Sequence, residues 1–171
     1  HFLKEKIKDK IGDGSRLGCA VEYISEDIPL GTCGCLSLIP KNLYKDKILV
    51  INGDILTDLK FEELISFHDE KKSDCTFFGR VTGHYVPYGV LQISENGTLI
   101  EIKEKPTIEY TISTGVYVFS RKLVNRIPQG TKFDVPEVIS LAKEGFRIMC
   151  HKSNANWLDV GTHADYSKAE Q

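Results

Sequence analysis

The sequence predicts an α/β fold, a mixed β-sheet covered by helices, on three observations. Seven runs of strand composition alternate with segments of helical periodicity. Several runs are bounded by Gly, Pro or Asn, residues that stop strands and make turns. No Ser/Pro-rich linker, repeat or low-complexity tract interrupts them, and 171 residues with 41% hydrophobic content suit a single domain over 1–171 with one sizeable core.

The strand runs are CAVEYI (19–24), KILVI (47–51), CTFFGRV (75–81), YGVLQI (88–93), TLIEIK (98–103), STGVYVF (113–119) and FRIMCH (146–151). KILVI is apolar throughout after Lys47, which suits a strand buried on both faces. Phe61, Leu64, Ile65 and His68 fall at i, i+3, i+4 and i+7, the spacing of one helix face. Asp134 and Glu137 make a capping-box start for a second helix, whose Val138, Ile139 and Ala142 are expected to face inward and which Gly145 ends. The turn Glu95-Asn96-Gly97 predicts a hairpin between the fourth and fifth runs, and a turn is also the reading of the sequon Asn96-Gly97-Thr98.

Composition narrows the function classes. A net charge of −2 with both signs interspersed provides no basic stripe for nucleic acid and no polybasic membrane patch. No apolar run reaches the length of a membrane span, and HFLKEKIKDK lacks the apolar core of a secretory signal. Five cysteines at irregular spacing suit a reduced, cytoplasmic protein with buried thiols, and Cys33-Gly34-Cys35 has no matching Cys/His pair for a metal. His68 and His84 are read as helix-face and loop residues. A small, anionic, metal-carried ligand remains open.

Such a ligand draws attention to Asp54. In open α/β sheets ligands bind beyond the carboxyl ends of strands, and Asp54 stands where KILVI ends and an amphipathic pattern begins. Gly53, without a Cβ, lets a ligand approach the backbone. A plain turn-capping role for Asp54 is the alternative. A second strand-end aspartate, Asp159, occurs in WLDVGTHADY (157–166). Two such carboxylates can share one Mg²⁺, which takes oxygen ligands and completes its shell with phosphate and water.

PLGTCG (29–34), LVINGD (49–54), YGVLQI (88–93), EKP (104–106), STGVYVF (113–119), FDVPEVI (133–139) and WLDVGT (157–162) together cover the chain in an order and approximate spacing that resemble the sugar nucleotidyltransferases. These are the nucleotide-sugar pyrophosphorylases, which include mannose-1-phosphate guanylyltransferases and glucose-1-phosphate thymidylyltransferases. The resemblance implies a three-layer α/β/α sandwich, Rossmann-like on the nucleotide side and akin to the GT-A fold. It implies nucleotidyl transfer from a nucleoside triphosphate to a sugar 1-phosphate, giving an NDP-sugar and pyrophosphate.

By the same resemblance, Pro29, Gly31 and Gly34 shape a loop against the base, and Gly53 lies against the nucleotide. Asp54 and Asp159 hold Mg²⁺, Tyr88 and Gly89 floor the sugar site, Glu104 binds sugar hydroxyls, Lys105 binds the sugar phosphate, and Thr114 and Gly115 close the pocket. Catalysis of this kind is positioning plus charge neutralisation, which two carboxylates, one metal and one lysine supply without a covalent intermediate. Lys105 alone would read as a solvated lysine in KEK (103–105). Many members have Asn-Ala-Gly where this chain has Ser113-Thr114-Gly115, which leaves the sugar open. Glu26 stands near the place of a base-reading glutamine; a carboxylate accepts two adjacent N–H groups of guanine but only one of thymine or uracil, so guanine is favoured, with a solvated glutamate in SED the alternative.

Family members carry an N-terminal strand and a glycine-rich G-x-G-T-R-L loop that cradles the triphosphate. The chain resembles them without either, and Gly14-Ser15-Arg16-Leu17 falls in the place of a downstream turn. The expectation is an N-terminally truncated chain, incompetent alone, with an unprotected edge along KILVI that leads to self-association as a homo-oligomer, recruitment of the segment from another copy, or low stability. Two other classes remain: a GT-A glycosyltransferase, against which the missing Asp-x-Asp pair argues, and a non-catalytic nucleotide-sugar-binding or subunit-interaction module.

Overall fold

A run of unlike residues needs a partner to become a strand, and this separates the sequence expectations that hold from those that do not. The computed structural model describes residues 3–170, in which strands and helices alternate as an α/β chain. The chain divides into two compact units, residues 1–48, 72–75 and 119–148 in one, and 49–71, 76–118 and 149–171 in the other.

In the first unit, α1 (Lys4–Ile11) is a polar helix with Glu5 in its first turn and Lys8 and Lys10 in its last, an order that suits the helix dipole. It ends at Gly12 with φ +65. Ser15–Leu17 form a 3₁₀ turn between two left-handed glycines, and Arg16 Nη2 donates to the Lys10 carbonyl at 2.8 Å. CAVEYI is not a strand: no partner strand pairs with it among the described residues, and it is held locally, with Val21 N donating to Asp13 O at 2.8 Å. A single helical turn, α2 (Gly31–Gly34), continues as a 3₁₀ turn, Cys35–Leu38. These segments bury Leu30, Cys33 and Leu36, and the same unit buries Phe119, Leu123 and Val138.

Two further helices complete this unit. In α4 (Arg121–Val124) the Ser120 side chain caps the first turn, accepting from Leu123 N at 3.2 Å. In α5 (Val135–Ser140) the expected capping box is present, with Glu137 Oε2 accepting from Asp134 N at 3.1 Å. The helix tightens to 3₁₀ at Leu141–Glu144 before Gly145, φ +87. That change of pitch rotates the inward face: Val138 and Leu141 are buried, whereas Ile139 is 55% exposed and Ala142 is exposed, correcting the expectation for both.

In the second unit, the strands β1 (Lys47–Ile51), β3 (Cys75–Tyr85), β6 (Thr107–Ser120) and β7 (Ile148–Ser153) form a sheet in the order β1-β6-β3-β7, with a few strand-end residues grouped in the first unit. Here β1 is an edge strand and only half-buried, so KILVI is not the doubly buried strand. That role falls to the interior strand β6, whose residues 114–119 are buried without alternation. A hairpin, β4 (Val90–Ile93) with β5 (Leu99–Lys103), pairs Val90 with Lys103 and Leu91 with Ile102, and Gly97 turns it with φ +86. A second antiparallel pair, β2 (Ile55–Thr57) with β8 (Trp157–Asp159), follows Asp54 directly. The helix expected there starts later, as α3 (Phe61–Glu70). Phe61, Leu64, Ile65 and His68 do share its inward face, and Leu64 packs with Leu59, Phe78, Val116 and Val118. The buried His68 meets Thr76 Oγ1 through Nδ1 at 2.8 Å. The last helix is α6 (His163–Ala169), capped by Thr162.

The rotated face of α5 yields a direct test. Leu141→Ala is expected to cost about 2–5 kcal/mol and Ile139→Ala no more than about 0.5 kcal/mol, read from urea midpoints. The reverse order would restore the helical phase read from the sequence.

Candidate active site

The two strand-end aspartates meet through the short ladder. Ile55 is opposite Asp159 in the β2–β8 pair, and Val160 N donates to the Asp54 carbonyl at 2.8 Å. Asp54 and Asp159 therefore stand at the same end of one two-stranded pair, both exposed. A Cβ on Gly53 would meet nothing within 4 Å, so the space over the turn is open, and a Cβ on Gly161 would lie 3.4 Å from Asp159 Oδ1. Among the described residues no cluster of three or more His, Cys, Asp and Glu could hold a metal. Two exposed carboxylates beside open space fit Mg²⁺, which binds proteins through one or two carboxylates and keeps water and phosphate. They do not fit a closed four-ligand site.

Each aspartate lies two residues beyond an anchor on β6. Asn52 N donates to Gly115 O at 2.9 Å, and Trp157 Nε1 donates to Thr114 O at 2.7 Å. Gly115 has φ +77, and a Cβ there would lie 2.7 Å from Asn52 Nδ2. The strand continues through this residue with a left-handed backbone, and the missing side chain lets the NGD turn pack directly on it. Thr114 is fully buried, and its hydroxyl donates to Phe78 O at 2.9 Å. Thr114 and Gly115 thus set the positions of Asn52 and Trp157, a role the sequence did not suggest. Arg80 adds to it, with Nη1 donating to Trp157 O at 3.0 Å. Asn52 and Trp157 stand in the LVINGD and WLDVGT motifs and could have been found; Arg80 lies 77 residues from Trp157 and carries no local signal.

The hairpin base gathers a second group. Lys105 N donates to Tyr88 O at 3.2 Å, and Val86 N donates to Pro106 O at 2.9 Å. A Cβ on Gly89 would lie 2.9 Å from Glu104 Oε2, so the carboxylate stands close over the glycine backbone. Lys105 has φ +46, a left-handed conformation that a side chain disfavours. Tyr88, Gly89, Glu104 and Lys105 are thereby brought together, all exposed. A cavity of about 370 Å³ flanks the turn, lined in part by Gln92, Glu101, Lys103 and Pro106.

The loop 29–34 belongs to the first unit. Pro29 is exposed and Gly31 has φ +76. A Cβ on Gly34 would lie 2.7 Å from Thr131 O, so residues 131–133 press on its backbone. Cys33 is buried, which pushes its thiol up to about 12, with Cys35 and Asp134 adding to the shift. Burial raises Cys35 too, and the Glu26 carboxylate beside it contributes. Glu26 is half-buried near this loop rather than free in solvent.

The family model described as "Nucleotidyl transferase" matches residues 1–171. The chain is 32% identical to a mannose-1-phosphate guanylyltransferase from Mycobacterium tuberculosis, over 92% of this chain and 45% of that protein. It is 28% identical to a UTP–glucose-1-phosphate uridylyltransferase from Synechocystis sp., over 98% of this chain and 48% of that protein. It spans about half the length of these relatives. Among solved structures it is similar to HddC from Yersinia pseudotuberculosis complexed with GMP-PN, with a TM-score of 0.72, 26% identity, and coverage of 98% of this chain and 73% of that one.

The left-handed Gly115 within β6 predicts that Gly115→Ala costs about 1–3 kcal/mol, because a side chain is disfavoured there and its Cβ would collide with Asn52. Lys105→Gly, which relieves the same kind of backbone, is expected to leave stability within about 1 kcal/mol of the parent or to raise it. Chemical denaturation of the two variants checks both. With an interior strand, an open strand-end turn and two aspartates in a motif order matched along its whole length, the chain belongs to the nucleotidyl transferase family.

Proposed function

We propose that this chain forms part of a sugar nucleotidyltransferase that joins a nucleoside triphosphate to a sugar 1-phosphate and releases pyrophosphate. The placing of Asp54 and Asp159 at one end of the β2–β8 pair carries this reading. The relatives' names, a guanylyltransferase and a uridylyltransferase acting on sugar 1-phosphates, support it.

In this reaction a phosphate oxygen of the sugar 1-phosphate attacks the α-phosphorus of the triphosphate. A new P–O bond forms, the bond from the α-phosphorus to the bridging oxygen breaks, and pyrophosphate leaves with the electron pair. The attacking oxygen is already anionic, so no general base is required; what is required is that two anions be held together. Asp54 and Asp159 would hold Mg²⁺, which supplies charge neutralisation at the reacting phosphates. Lys105 places a cation for the sugar phosphate, with its backbone fixed by Tyr88 O. Tyr88 and Gly89 form a floor and Glu104 accepts from sugar hydroxyls, the three gathered with Lys105 at the base of the hairpin. Pro29, Gly31 and Gly34 shape the nucleotide loop, and Gly53 leaves room for phosphate over the NGD turn.

Glu26 gives the base preference. Its two acceptor oxygens match the adjacent N1–H and N2–H of guanine, and a structural neighbour bound to GMP-PN supports a guanosine nucleotide.

The test is pyrophosphate release from GTP and a sugar 1-phosphate by the whole protein that carries these residues. Asp159→Asn is expected to lower kcat by about 100-fold or more with little change in thermal stability, since the side chain is exposed. Parent-like turnover in Asp159→Asn would defeat the two-aspartate site, and UTP or dTTP preferred over GTP would defeat the guanine assignment.

A further inference from the structure

The loop at 29–34 is too short to hold its own shape. One helical turn, Gly31–Gly34, fixes several backbone angles for almost no internal hydrogen bonding, and the N–H groups of its first turn have no partner within it. The partners come from about 100 residues away. Asp134 Oδ1 accepts from Thr32 N at 2.8 Å. Phe133 O accepts from Cys33 N at 3.0 Å and from Gly34 N at 2.9 Å, and Phe133 N donates to Leu30 O at 2.9 Å. The carboxylate of Asp134 also fills the space in which a Cβ on Gly31 would lie, and Gly31 is left-handed, so this position excludes a side chain on two grounds.

Asp134 is itself held. Glu137 Oε2 accepts from its N–H at 3.1 Å, and Lys132 Nζ lies 3.6 Å from its Oδ2. From its place before a helix, the residue read as a cap and nothing more. Its carboxylate also reaches into the loop. The consequence for ligand binding is specific: the amides of Thr32, Cys33 and Gly34 are already donated to residues 133 and 134, so this turn does not cradle phosphate with its N–H groups. What it can offer a base is the shape of Pro29, Leu30 and Gly31.

We propose that Asp134 is a positioning residue that clamps the 29–34 loop in its base-facing shape, acting through Thr32 N and through contact with Gly31 rather than by touching the nucleotide. The proposal rests on the assignment of this loop to the nucleotide. The charge-assisted bond to a backbone N–H is of the stronger kind, and its loss frees the Thr32 amide.

Amide hydrogen exchange and GTP affinity, measured on the same variants, test it. Asp134→Ala is expected to speed exchange at Thr32 well beyond any change in global stability and to weaken GTP binding about tenfold, with the KM for sugar 1-phosphate within about twofold of the parent. Asp134→Asn keeps an oxygen for Thr32 N and is expected to restore most of both. Glu137→Ala, which frees the Asp134 backbone N–H but leaves its carboxylate bond to Thr32 N intact, is expected to leave GTP affinity near the parent value. Should Asp134→Ala fold poorly, Gly31→Ala pushes on the same contact from the loop side and is expected to give the same split. GTP binding unchanged in Asp134→Ala, or lost equally in Glu137→Ala, overturns the clamp. No GTP binding by the parent overturns instead the nucleotide assignment of the loop, and Thr32 exchange still reports whether Asp134 holds it.

Discussion

Two consecutive carbonyls in β6 hold the turns that carry Asp54 and Asp159 in place. Thr114 O takes the indole N–H of Trp157, and Gly115 O takes the backbone N–H of Asn52. The strand is interior to its sheet, so these carbonyls are fixed on a buried platform, with Val116 and Val118 in the core just beyond them. Asn52 and Trp157 each lie two residues before an aspartate. Whatever the exposed carboxylates do, their backbone positions are inherited from this platform. The left-handed Gly115 makes it possible, since any side chain there would displace Asn52.

This arrangement explains how exposed and chemically ordinary groups can be well placed. An exposed aspartate on a mobile loop would lose most of its value to conformational freedom, whereas one at the end of a paired strand loses little. The hairpin base follows the same economy: Lys105 is forced into a left-handed backbone and tied to Tyr88, so a flexible side chain springs from a rigid point. In the first unit the 29–34 loop is rigid because residues 133 and 134 satisfy its amides. In each case a segment distant in sequence does the holding, and the residue expected to meet ligand is the one held.

That division accounts for what could be read from the sequence. The α3 face was legible because four residues at helical spacing repeat a local rule, and the hairpin because Asn96-Gly97 admits few other conformations. The aspartates were legible from their position after apolar runs. Their supports were not: Arg80 to Trp157 and Thr32 to Asp134 are bonds across 77 and 102 residues. The errors have the same origin. CAVEYI has strand composition but no neighbour to pair with, KILVI is apolar but sits at a sheet edge, and the phase of α5 shifts where it tightens to 3₁₀ over Leu141–Glu144. Composition reports what a segment can do, and only the surrounding chain decides which option is taken.

The central claim, that one cation is shared by Asp54 and Asp159 at the end of the β2–β8 pair, is open to direct observation. Mn²⁺ in place of Mg²⁺, added in the presence of a non-hydrolysable GTP analogue and followed by paramagnetic broadening of backbone amide resonances, maps the ion. The account predicts that Asp54, Ile55, Asp159 and Val160 broaden first and together, and that Asp54→Asn removes the broadening from all four. Broadening centred on another set of carboxylates, or on one of these aspartates without the other, would contradict it.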